Sequence, residues 1–278
     1  MPDLIAVLTK WWKLIFGLSL VAALIAFVAS LVSPKKYLST ATALPANSVI
    51  ADKARLLNTN IEALYSDFGT ADELDKLEGT ANLDTIFIAA AQEFNLYEHY
   101  KIEPSDESTY KAVLKLKKNS RISRTAYSEL KAAVWDEDRN LAAALANSLL
   151  KNLGELHQHL QNENNITILK KLKESYQLKE QQYKKINDSA VAGSRSETEI
   201  LHAKKNGLLE QMQQYEKAID QYQLAVNTSP QVLLIVEPAR PSVWSDKPKV
   251  LQTVLFALGA SLACTFLMAL SMENKTKP

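Results

Sequence analysis

The chain has 278 residues, with 32 Lys plus Arg against 31 Asp plus Glu and a formal net charge of +1. That balance removes any electrostatic case for nucleic acid, whose binding needs a basic surface. The single cysteine, Cys264, excludes an intramolecular disulfide, and seven glycines among abundant Leu, Ala, Lys and Gln predict a helix-dominated chain.

Two uncharged apolar stretches, Leu14 to Val32 and Val250 to Met272, are about 19 and about 23 residues long. Each can cross a hydrocarbon core about 30 Å thick at about 1.5 Å per helical residue. Two crossings return the chain to its starting side, so residues 33–249 lie together on the other. Lys10 and Lys13 precede the first span and Lys275 and Lys277 follow the second, but Lys35, Lys36, Arg240, Lys247 and Lys249 flank the spans on the opposite side. Flanking charge therefore leaves the orientation open. Because long loops translocate largely regardless of charge, the short tails 1–13 and 273–278 are placed in the cytoplasm. A signal peptide cleaved at Ala29-Ser30 is the alternative for the first stretch, although its apolar region would be unusually long. Ala22, Ala26 and Ser30 in the first span, and Gly259 and Ala263 in the second, recur at a four-residue spacing that lets helix backbones approach closely in lipid.

After Pro34, Tyr37-Leu-Ser-Thr-Ala-Thr-Ala-Leu44 is rich in β-branched and aromatic residues and predicts a strand leaving the membrane. Ile50, Ala54, Leu57, Ile61, Leu64 and Phe68 predict a helix with one packed face. Thr70 with Glu73 forms a capping box for a short helix, and Asn82 opens another whose apolar face is Leu83, Phe87, Ala90 and Phe94. Pro104 separates these from a helix over 106–118. From Arg124 to Trp135, Ala126, Ser128, Leu130, Ala132 and Val134 alternate with Tyr127, Glu129, Lys131, Ala133 and Trp135, the period of a strand with one buried face.

A long helical hairpin follows. In its returning arm Leu201, Leu208, Tyr215 and Tyr222 repeat every seven residues, with Lys205, Met212, Ile219 and Val226 interleaved as the partner positions of a heptad seam. Asp188 to Ser194 forms the turn, and Ser196 with Glu199 caps the arm. In the outgoing arm Leu169, Leu172, Tyr176, Tyr183 and Ile186 keep that period. Leu153, Leu156 and Leu160 lie on a differently phased stripe, the slip falling at Gln161 to Asn165. The outgoing helix, Arg139 to about Asn187, is the longer arm, so its first part, with Leu141, Leu145, Leu149 and Leu153 on one face, is assigned to packing on a base sheet. Faces near Leu141 to Leu156 are also expected to carry assembly, because a two-stranded hairpin with Tyr and Lys in its seam is thin for its length.

Gln231 to Glu237 is apolar throughout except at its ends and predicts a third, central strand. Pairing it with Tyr37 to Leu44 closes an α/β base on the membrane surface. The expected division is tails at 1–13 and 273–278, spans at 14–32 and 250–272, a base at 33–156, a hairpin at 157–227, and a returning strand with its connector at 228–249. The fold class is an α+β membrane protein.

Chemistry-bearing motifs are lacking. No Gly-rich phosphate loop, nucleophile elbow or zinc-protease helix occurs, so neither catalysis nor a cofactor or metal is expected. His157 and His159 are about 200° apart around a helix and make poor co-ligands. Asp136-Glu-Asp138 is read as a helix start, where carboxylates are favoured.

Glu237-Pro-Ala-Arg-Pro-Ser-Val-Trp-Ser-Asp-Lys-Pro-Lys249, with Pro238, Pro241 and Pro248, is a stiff connector that cannot continue a helix. A strand, this proline-spaced segment and a terminal span together resemble the polysaccharide co-polymerases, also called Wzz or chain length determinant proteins. Further carriers of the resemblance are the Tyr37-x-Ser-Thr-Ala-Thr strand after the first span, the helix near Ile86 leading to Phe94-Asn-Leu96, Val134-Trp-Asp-Glu-Asp138 running into Ala142-Ala-Ala-Leu-Ala-Asn147, and the hairpin between. The match covers the whole chain in order; its specificity lies in the arrangement.

The resemblance implies a periplasmic base and hairpin on a two-pass bacterial inner-membrane protein. It implies lateral homo-oligomers that set the chain length of O-antigen, capsule or exopolysaccharide. The partners it implies are a separate polymerase and its undecaprenyl-linked glycan. The sequence closes at Pro278, so the kinase domain and tyrosine-rich tail of some relatives are not expected, and Ile50 to Glu78 is an extra helical segment. Within the same architecture the alternatives are an export adaptor whose hairpin contacts an outer-membrane channel and a periplasmic ligand sensor.

Overall fold

The computed structural model describes residues 4–46, 71–189 and 195–276. It is a mixed α and β fold, with an apolar helix at each end and a long helix in the middle, as the sequence predicts. Two compact units divide the chain: Met1–Ser39, Val134–Ala144 and Arg240–Pro278 in the first, Thr40–Ala133 and Leu145–Ala239 in the second.

In the first unit, α1 (Leu4–Val32) and α8 (Val250–Thr276) contain the segments Thr9–Val32 and Val250–Met272, each long and apolar enough to cross a membrane. They pack together. Ile15 and Ala269 are buried, with Trp11, Leu262, Phe266 and Leu270 around them, and the Ser19 and Thr265 hydroxyls lie 3.5 Å apart. Elsewhere Leu20, Leu24, Phe256 and Leu267 are exposed. A helix pair apolar on its outer faces matches a lipid solvent rather than water.

The second unit is built on a sheet ordered β2-β3-β1-β4, from β2 (Ser120–Arg124), β3 (Leu130–Asp136), β1 (Lys36–Pro45) and β4 (Leu233–Glu237). Strands β1 and β3 continue into the first unit. β1 and β4 pair antiparallel, Ala43 opposite Ile235 and Pro45 opposite Leu233, which is the pairing expected from the sequence. Alternation places Leu130, Ala132 and Val134 on the buried face of β3.

Three local expectations change. The alternation from Arg124 spans two strands, not one: Ser128 adopts φ 60 in a turn where the Thr125 N–H donates to the Glu129 carbonyl at 2.8 Å, so β3 starts only at Leu130. β4 lies at the sheet edge, not its centre, and Leu234, Ile235 and Val236 are 38%, 43% and 57% exposed. An apolar run reports β-propensity, but it does not count neighbours. Asn82 does not start a helix; α3 (Asp84–Glu93) follows Leu83, which is exposed, and buries Ile86, Phe87, Ala90 and Ala91.

Around the sheet lie α2 (Ala71–Thr80), α3, the short α4 (Leu96–His99) and α5 (Ser108–Lys118). The predicted helix from Ile50 to Phe68 and the Thr70 cap lie outside the described residues. Helix α6 (Arg139–Ser189, 51 residues) buries Leu145, Leu149, Leu150 and Leu153 in the core. The packing expected for the first part of this helix thus uses Leu145, Leu149 and Leu153 within the chain. Helix α6 approaches β4 closely at Gly154, where an added Cβ would stand 3.3 Å from the Leu233 Cβ.

Helix α7 (Arg195–Thr228) returns antiparallel to α6. The Lys173 amine donates to Gln223 Oε1 at 3.0 Å, and the Lys205 amine donates to Asn187 Oδ1 at 2.8 Å, so residue numbers fall on one arm as they rise on the other. The predicted turn at 190–194 lies outside the described residues, as do the Ser196 and Glu199 side chains.

Candidate functional site

The connector between β4 and α8 is held along its length by side chains from distant positions. Within the second unit, Asn147 on α6 meets Ala239 directly: its Oδ1 accepts the Ala239 N–H at 2.7 Å and its Nδ2 donates to the Ala239 carbonyl at 3.2 Å. Ala239 is 7% exposed, so both backbone groups would otherwise lack water as a partner. Prolines at 238 and 241 leave this segment short of donors, and a side-chain amide, which both donates and accepts, suits it.

Within the first unit the clamp continues. The Ser39 hydroxyl donates to the Arg240 carbonyl at 3.0 Å, and the Ser242 hydroxyl donates to the Trp244 carbonyl at 2.8 Å. β5 (Ser245–Lys247) then pairs antiparallel with the start of β1, Tyr37 opposite Ser245 and Lys36 opposite Lys247. The Trp135 indole N–H donates to Asp246 Oδ2 at 2.8 Å, and the Lys247 amine stands 4.4 Å from the centroid of the Trp135 ring. One tryptophan thus holds two consecutive connector residues, by a charge-assisted hydrogen bond and a cation–π contact. Pro238 and Pro241 are exposed and Pro248 is half-buried.

The acidic run beside Trp135 has a structural role. Buried Asp136 accepts the Asp138 N–H at 3.0 Å, and Asp138 caps α6 by accepting the Asn140 N–H at 2.8 Å. Among the described residues no group of three or more His, Cys, Asp or Glu could hold a metal ion. In the second unit His157 Nε2 hydrogen-bonds with Thr80 Oγ1, and burial holds its imidazole below the usual histidine range.

The small-residue positions in the spans separate into two groups. Ser30 is buried and Ala22 and Ala26 are half-buried, on the same side of α1 as Ile15 and Ser19, and the Ser30 hydroxyl donates to the Ala26 carbonyl at 2.8 Å. Gly259 and Ala263 are exposed, and nothing lies within 4 Å of a Cβ built on Gly259. The seam on α8 runs instead through Leu262, Thr265 and Ala269. In the hairpin, Leu208 is buried, and Leu201, Met212, Tyr215, Ile219 and Tyr222 are half-buried.

Sequence reasoning noticed Trp135 and Asn147 as parts of a pattern but missed what they hold. The available signal was polar residues at positions flanked by buried Ala and Leu: Asn147 follows Ala142-Ala-Ala-Leu-Ala, and such a residue needs a partner.

No family model and no curated relative matches the sequence. Among solved structures, the chain is similar to a full-length bacterial polysaccharide co-polymerase, at 14% identity over 100% of both chains with a TM-score of 0.39. It is similar to a fragment of the polysaccharide co-polymerase WzzB from Salmonella Typhimurium at 15% identity, over 77% of this chain and 100% of that one, with a TM-score of 0.33. It is also similar to a single-residue variant of the Shigella flexneri lipopolysaccharide O-antigen chain-length regulator WzzBSF at 12% identity, over 76% of this chain and 100% of that one, with a TM-score of 0.27. These neighbours carry the name that the sequence resemblance carries.

Proposed function

We propose that the chain is a non-catalytic regulator of surface polysaccharide chain length in the bacterial inner membrane. Copies associate into a scaffold that holds or times the glycan at a separate polymerase, with the bulk of the chain periplasmic and both tails cytoplasmic. The observation that carries the reading is the pairing of the terminal helices at Ile15 and Ala269. It anchors both ends of one long intervening segment made of a sheet, small helices and an antiparallel hairpin, in which no group of three or more His, Cys, Asp or Glu among the described residues could hold a metal ion. A chain arranged so has anchors and surfaces to offer a partner rather than bond-making groups. The clamped connector, from Pro238 to Pro248, is the element we assign to coupling between the spans and the rest.

The test is genetic. Deleting the gene and resolving the surface polysaccharide on a gel should broaden or shift the length distribution, and restoring the gene should reverse the change. An unchanged distribution would count decisively against the reading. Protease added to spheroplasts should cut between residues 33 and 249, and mass photometry in lipid nanodiscs should show more than one copy per particle.

A further inference from the structure

We propose that the first unit carries a docking rim for anionic phospholipid at the point where the two spans meet the headgroups. The inference rests on reading α1 and α8 as membrane spans. β5 runs toward α8 alongside the beginning of β1, so Lys36 and Lys247 stand opposite each other in the pairing register. Lys35 and Lys36 directly follow α1, and Lys247 and Lys249 directly precede α8. At about 3.5 Å per residue these positions lie no more than about 14 Å from a helix end, within side-chain reach of the headgroup layer.

Lys35, Lys247 and Lys249 are exposed. Asp246, the acid between them, is directed to the Trp135 indole, with Lys249 3.9 Å from its other oxygen. In the two segments that adjoin the helix ends, residues 33–39 and 242–249, three exposed lysines, Lys35, Lys247 and Lys249, thus accompany the single carboxylate of Asp246. Beside it, Val243 and Trp244 are 73% and 82% exposed. Their main chain is fixed by the Ser242 hydroxyl and by β5, so two apolar side chains are presented on a held backbone rather than on a loose tail.

The two features call for the same occupant. An indole with one apolar and one polar end prefers the headgroup level, and lysines at a membrane surface attract anionic lipid. The proposed topology supplies a third argument: cations flanking the translocated side of a span work against the positive-inside bias, so their concentration there answers to something other than orientation. Lysine ends that merely reach for water would show no preference among headgroups, and nothing in that role uses Trp244.

The experiment uses the full chain in nanodiscs of mixed phosphatidylcholine and phosphatidylglycerol. Lipids retained after mild detergent extraction are measured by native mass spectrometry. Phosphatidylglycerol should be retained preferentially, and Lys36→Gln, Lys247→Gln or Lys249→Gln should each weaken its retention by about fivefold. Phosphatidylglycerol brominated near the headgroup should quench part of the tryptophan fluorescence, and Trp244→Phe should reduce the quenched fraction, Trp11 and Trp12 at the start of α1 accounting for what remains, while circular dichroism stays unchanged. Equal retention of the two lipids, wild-type retention in all three lysine variants, or quenching indifferent to Trp244→Phe would overturn the rim while leaving the spans intact. Binding of inorganic phosphate alone with the same lysine dependence would also overturn it, in favour of a free-anion site. A chain that fails to enter the discs would sink both the rim and the membrane reading.

Discussion

Asn147 closes a two-point clamp on the main chain of Ala239, accepting its N–H at 2.7 Å and donating to its carbonyl at 3.2 Å. These residues are far apart in sequence, so the clamp fixes the path of the connector just after it leaves β4. Asn147→Ala removes both bonds and leaves two buried backbone groups unpaired, at about 1–3 kcal/mol each before relaxation. A lowered thermal midpoint in detergent is expected, with Asn147→Asp intermediate because it keeps only the acceptor. Asn147→Ala is also expected to shift polysaccharide length, read on a gel, at unchanged protein level.

Trp135 separates two contributions cleanly. Trp135→Phe keeps a ring under Lys247 but loses the N–H donated to Asp246, and hydrogen bonds to charged groups contribute about 1.5–3 kcal/mol. Trp135→Leu loses both contacts. Midpoints should therefore fall in the order wild type, Phe, Leu; equal values for Phe and wild type would show that the indole N–H contributes nothing.

At Gly154 the expected outcome depends on size. The added methyl of Gly154→Ala meets the Leu233 Cβ at 3.3 Å, a tight contact offset by up to about 1 kcal/mol of helix propensity, so the midpoint changes little. Gly154→Val or Leu overpacks the α6–β4 contact and costs about 1–3 kcal/mol. Chemical unfolding monitored by circular dichroism distinguishes the two.

His157 makes stability pH-dependent. Its folded pKa is lowered by burial, so below its unfolded value of about 6.5 the unfolded chain binds more protons than the folded one. Its contribution is present above that value, declines as pH falls through it, and levels off below the folded pKa. The stability of wild type relative to His157→Gln should therefore fall between pH 7 and pH 5, read from paired melts, and a difference that does not change with pH would rule the contribution out.

The span seam predicts an asymmetry. Ala269→Phe places a ring against Ile15 in a fully buried position, whereas Gly259→Phe enters open space. With Ser19→Cys and Thr265→Cys in a Cys264→Ser background, oxidation should yield a fast-migrating intramolecular product, because the native hydroxyls are 3.5 Å apart. Adding Ala269→Phe should abolish that product, and adding Gly259→Phe should not.

Much of the fold was legible because its signals are local. A run of apolar residues long enough to span a bilayer, a period of two in β3 and a four-three spacing in the returning arm each express backbone geometry through neighbouring residues. The pairing of β1 with β4 was also within reach. Ser128 was less legible: alternation passed through it unbroken, and the left-handed turn conformation leaves no trace in polarity. Gly259 and Ala263 show the same limit, since a stripe of small residues permits close approach without naming the side that uses it.

What the sequence determined on its own was the two apolar ends and the long helices between them, consequences of periodicity and residue type. Only the tertiary structure decided that β4 is an edge strand and that Asn147 and Trp135 hold the connector. The reason is physical: such facts depend on which distant segment supplies a neighbour, and a hydrogen-bond partner or a packed face is a property of two places in the chain at once.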